Sequence, residues 1–140
     1  MFGLIKWLSP SGMAIVSARR IEMIREKRNE LVVVLTTFPA DGDPSTLSRL
    51  LVAEGLAACV QRYSPCRSTY EWKGRVEETA EIPVVIKTMS DCLPKLKERI
   101  SSLHPYEMPE LVVLETSDTF DEYRRWVSAA VDRSARENSN

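Results

Sequence analysis

From Leu31 to Phe38 the chain reads LVVVLTTF, a nearly unbroken apolar and β-branched run. A strand with one wet face would alternate with polar residues; this one does not, so both of its faces need cover. It therefore belongs at the centre of a sheet, and the rest of the chain must supply its neighbours and a covering layer. PADGDPS follows and is turn chemistry. Asp43 can cap a helix, Pro44 suits its first position and Gly55 lies near its end. Leu47, Leu50, Leu51 and Ala58 would mark its apolar side, although Gly55 stops it before Ala58.

A second extended run begins near Ala57, breaks at Pro65 and resumes at RSTYEW. Lys73-Gly74 then sits between two extended runs and reads as a hairpin turn, because glycine supplies the positive φ it requires. The return runs from Arg75 to about Thr88, and Pro83 inside it is expected to place this strand at an edge or a bulge. A helix begins near Ser90 or Asp91, with Pro94 in its first turn. Leu93, Leu96, Ile100 and Leu103 form its apolar stripe, and His104-Pro105 ends it. ELVVLET is the next strand. TFDEYRRWVSAAV is a last helix, with Thr119 and Glu122 spaced as a capping box and Phe120, Tyr123, Val127 and Ala130 on its buried side.

The order β-α-β-β-α-β plus a helix, with right-handed crossovers, predicts an α+β, ferredoxin-like βαββαβ sandwich: two helices on one face of a four-stranded antiparallel sheet, with a long central hairpin and an extra C-terminal helix. Residues 30–132 form this single domain. Residues 1–29 are an N-terminal extension, loose or helical: Ala14 to Arg28 has the pattern of a basic amphipathic helix. Residues 133–140 are a polar tail.

That fold hosts many functions, so residues must decide among them. The net charge is −1, which argues against a nucleic-acid binder. An RNA-recognition module needs aromatics on the third strand, and RVEETAEIPVVIKT has none. FPADGDPS lacks the arginine a small acyl-phosphatase would use, and its aspartates repel phosphate. No stretch reaches the ~20 apolar residues of a membrane span. Cys59, Cys66 and Cys92 have no CxxC spacing and read as reduced thiols of a cytoplasmic protein, Cys59 as a small buried hydrophobe. The one histidine, His104, would have to serve any Cys–His or Ser–His pair, and no spacing favours one, so catalysis is not expected.

Four motifs remain: EGLAACVQ, STYEWKGRVEE, VVIKT, and HPYEMPEL followed by YRRW. In this order and spacing, from about Leu31 to Val131, they resemble the CutA family of divalent-cation tolerance proteins. The resemblance implies a homotrimer in which long hairpins pair across subunits, covering Tyr70 and Trp72. It also implies a partner in divalent metal ions, copper among them. The copper ligands suggested in such members fall here at Thr36 and at Leu103–His104, so only His104 survives as a ligand. His104, Glu107 and Glu110 form a replacement set suited to harder ions. Two readings of HPYE stand open. In one, His104 caps the helix C-terminus in its charged form, the prolines stiffen the corner and Tyr106 plugs an interface. In the other, His104, Tyr106 and Glu107 line an inter-subunit cleft with Glu81 and Lys87, which pair with each other or meet a polar ligand. The alternative function is a sensing module resembling the trimeric PII proteins, with a small molecule in that cleft; the flexible basic loop that would favour it is not seen.

Overall fold

A computed structural model of the chain describes residues 30–132. The helix expected over Ala14 to Arg28 and the tail after Asp132 lie outside the described residues. Strand β1 (Leu31–Pro39) pairs antiparallel along its whole length with β4 (Arg75–Met89), and over Val32 to Leu35 with β5 (Val112–Glu115). Strand β2 (Cys59–Arg62) and strand β3 (Cys66–Trp72) lie end to end on the other side of β4, so the order is β2-β4-β1-β5 with β3 beside β4. This is the ferredoxin-like arrangement, with β1 central as its uniform apolar character requires.

Helix α1 (Pro44–Ala53) starts where Asp43 accepts from the Ser45 and Thr46 amides at 3.0 and 3.2 Å. The Thr46 hydroxyl also bonds this carboxylate, and these donors hold its pKa below the usual aspartate value. Gly55 closes the helix at φ +69°, and the Leu56 amide reaches back to the Leu51 carbonyl at 2.9 Å, as in a left-handed C-cap. After a short 3₁₀ turn, α2 (Leu93–Leu103) lies beside α1, and both cover one sheet face. Val34, Phe38, Val84 and Ile86 meet Leu47, Leu51, Leu96 and Ile100 there, all buried. Helix α3 (Asp121–Val131) packs on the opposite face, where Val127 joins Leu31 and Met89 in a second, smaller cluster.

Three expectations fail. First, β4 is no edge strand. Tyr63 donates its amide to the Pro83 carbonyl at 2.9 Å, so the side of Pro83 that lacks a donor faces the break between β2 and β3. No ladder bond is lost there. Second, Thr119 does not cap α3: Phe120 occupies the cap position without a side-chain bond, and the helix starts at Asp121. Third, of the face predicted for α3 only Val127 is buried. Phe120 is 88% exposed, and Tyr123 stacks on a half-exposed Trp126 at 5.6 Å between ring centres.

The β1–β4 ladder ends with Pro39 opposite Glu81, and one last bond, from the Ala40 amide to the Ala80 carbonyl at 3.1 Å, follows it. Residues 66–80 therefore leave the body as a two-stranded arm, turned at Lys73 and Gly74, both at positive φ.

Candidate functional site

The HPYEMPE corner sits against the free end of β1. Strand β5 pairs with β1 only as far as Leu35, so the backbone groups of β1 beyond it need other partners. The corner supplies one at the Thr37 carbonyl and holds the Thr36 side chain as well. Thr36 donates its hydroxyl to the Glu110 carbonyl at 2.7 Å, and the His104 ring meets the Thr37 carbonyl through Nε2 at 2.6 Å. Thr36 and His104 are both buried.

The bonding of His104 fixes its protonation. The Tyr106 amide N–H lies 3.0 Å from Nδ1, and an amide can only donate, so Nδ1 carries a lone pair. A carbonyl can only accept, so Nε2 carries the hydrogen and donates to Thr37. The ring is thus a neutral imidazole, not the charged helix cap of the first of the two readings of HPYE. Phe38 and Tyr106 flank it, with ring centres at 4.3 and 5.2 Å. Helix α2 ends at this residue because His104 takes extended angles ahead of Pro105.

Tyr106 continues from the corner to Glu81. Its phenol donates to the Glu81 carboxylate, and the Thr37 hydroxyl approaches the same carboxylate at 3.4 Å. Burial, then the Glu81 charge, hold the Tyr106 pKa above the ordinary tyrosine value of 10.0. A phenol raised in the folded state adds stability that is fully present below the unfolded pKa and is lost as pH rises through the folded one. Unfolding free energy should therefore decline above about pH 10, and Tyr106→Phe should flatten that decline. Denaturation midpoints across the alkaline range check this, and parallel curves for the two proteins would contradict it.

The predicted cleft residues are only partly gathered. Glu81, Tyr106 and Tyr70 are neighbours, and Tyr70 bonds Thr79 at 2.9 Å through their hydroxyls. Trp72 is farther out, at the arm's turn, with the Lys73 ammonium 6.0 Å from its ring centre. Lys87 is not paired with Glu81. Six residues of strand, roughly 20 Å, separate them, and Lys87 donates instead to the Gln61 side-chain oxygen.

The metal set His104, Glu107 and Glu110 is not assembled. Both ring nitrogens of His104 are spent inside the fold, and the two glutamates are exposed loop residues. Among the described residues no group of three or more His, Cys, Asp or Glu is placed to hold an ion. The residues present do not fit a resident divalent metal at this corner, because ligation would need the lone pair that Nδ1 already gives to Tyr106. Sequence reasoning weighed Thr36 only as a lost ligand. Its role is to stitch the corner to β1, and the hydroxyl beside a strand's free end is the one signal that could have suggested it.

A separate open cleft of about 680 Å³ is lined by Glu54, Cys92, Lys95 and Arg99, with Arg99 forked onto Glu54 at 2.6 to 3.1 Å. None of the predicted site residues lines it.

A βαββαβ body, an open arm and an HPYE corner stitched to β1 define a ferredoxin-like α+β protein. Comparison with known proteins agrees. A family model described as CutA1 divalent ion tolerance protein matches residues 32–130. The divalent-cation tolerance protein CutA of Thermus thermophilus is 42% identical over 95 residues, covering 68% of this chain and 92% of the relative. That of Pyrococcus horikoshii is 34% identical over 97 residues, covering 69% and 94%. Among solved structures, CutA from Xylella fastidiosa matches with a TM-score of 0.71 at 35% identity, over 74% of this chain and 99% of that one. The Thermus protein matches at 0.69 and 40%, over 71% and 97%. The chain belongs to the CutA1 divalent-ion-tolerance family.

Proposed function

We propose that the chain acts in divalent-cation tolerance as a cytoplasmic, non-catalytic homotrimer. The arm carries this reading. An isolated two-stranded hairpin is marginal in water, yet residues 66–80 extend past the body with Tyr70, Trp72 and Val76 exposed. Strand alternation also puts Val112 and Leu114 of β5 on the sheet face away from α1 and α2, and both are exposed. Copies of the same chain would cover both surfaces, and a trimer is the number that the resemblance implies. The three cysteines are free, which suits a reducing compartment, and no helix among the described residues is long and apolar enough to cross a membrane. Tolerance in this reading does not run through a copper ion held by His104, whose nitrogens are engaged.

The test is complementation. A host lacking its own family member is challenged with copper, zinc and cobalt salts, with and without this chain at matched expression. Restored growth at inhibitory salt is expected. Equal sensitivity with and without the chain would refute the reading.

A further inference from the structure

Glu81 retains 8% of its surface, and its partners are the hydroxyls of Thr37 and Tyr106. Among the described residues the ion pairs are Arg67–Glu78 and Arg99–Glu54, and no cation pairs with Glu81. A carboxylate this withdrawn from water is costly unless a positive charge meets it. Glu81 stands at the root of the arm, on the sheet face away from α1 and α2, and strand alternation puts Tyr70, Trp72 and Arg75 on that same face. The cations near this face are mostly committed. Lys87 donates to Gln61 and Lys73 lies over its own Trp72, while Arg67, opposite Ala80, is on the other face and holds Glu78 there. Arg62 sits opposite Val84 and so faces the helices. Arg75, at the arm's tip opposite Trp72, is exposed and has no ion pair among the described residues. It cannot reach Glu81 of its own chain, since six residues of strand span roughly 20 Å.

We propose that Arg75 of one copy docks on Glu81 of the next, so that the tip of each arm lands at the root of its neighbour's. This rests on the trimeric reading above. The contact is head-to-tail, and repeated three times it closes a ring. The guanidinium forks onto the carboxylate, while Thr37 and Tyr106 hold its remaining lone pairs.

The experiment is a double-mutant cycle on trimer dissociation, read by sedimentation equilibrium of the full chain over a dilution series. Glu81→Gln and Arg75→Gln should each weaken assembly by about tenfold or more, and the double variant should be no weaker than either single one. Exchanging the two charges, Glu81→Arg with Arg75→Glu, should recover part of the loss. Additive effects, or an Arg75→Gln protein that assembles like wild type, would overturn the proposal. An effect of Glu81→Gln alone would indicate a small cationic ligand instead, and also overturns it. Arg75 is exposed in the protomer, so its variant folds and decides the matter even if Glu81→Gln does not. A wild-type chain that sediments as a monomer would refute the trimer itself, a result distinct from additivity in an intact trimer.

Discussion

If the chain assembles as the proposed trimer, replacing Tyr70 and Trp72 together by serine is expected to leave a folded monomer. The two rings are 40% and 46% exposed, at the end of an arm that nothing among the described residues covers. Burying a large apolar side chain contributes roughly 1.5–3 kcal/mol. Losing both rings at each contact should therefore weaken association by about two to four powers of ten. The body should survive, because its cores are built from Val34, Leu51, Ile86, Leu96 and Ile100 on one face and Leu31, Met89 and Val127 on the other. Sedimentation and far-ultraviolet circular dichroism on the same samples decide it. A variant that keeps the wild-type mass at micromolar concentration would place the interface elsewhere.

His104→Ala is expected to cost roughly 2–4 kcal/mol of stability. Three losses add up. The Thr37 carbonyl loses its donor, the Tyr106 amide loses its acceptor, and a cavity opens between the Phe38 and Tyr106 rings. The ring is 8% exposed, so water cannot readily replace these bonds. His104→Gln should recover part of the loss, since its amide can donate toward Thr37. Assembly couples to stability, so denaturation must be compared at one protein concentration. A change under about 0.5 kcal/mol for the alanine variant, as for an ordinary surface site, would mean the corner is not held by this ring.

The parts of the fold that were legible in the sequence are those set by local chemistry. The apolar run at Leu31, the Asp43–Pro44 start and Gly55 stop of α1, the Lys73-Gly74 turn and the Leu96–Ile100 stripe each sit where short-range rules put them. The failures need a partner distant in the chain. Pro83 read as an edge or bulge signal because its harmlessness inside a central strand depends on a gap between β2 and β3. The stripe of α3 marked an apolar side, but periodicity cannot say what covers it, and Phe120 and Tyr123 are left open in the protomer. His104 was visible as a helix terminator, yet its tautomer is set by a carbonyl 67 residues away. Spacing along HPYEMPE suggested converging ligands. The chain instead turns its imidazole inward to serve a strand end, leaving Glu107 and Glu110 outside.

One measurement addresses the corner most directly, and the presence of one histidine in the whole chain makes it clean. Two-dimensional ¹H–¹⁵N correlation of the imidazole ring reports which nitrogen carries hydrogen. At neutral pH the structure predicts a protonated Nε2 and a bare, hydrogen-bonded Nδ1, with both resonances unmoved by one equivalent of Zn(II) per chain. A hydrogen on Nδ1, or a ring whose shifts move stoichiometrically with zinc, would contradict the account and return His104 to the metal ligands.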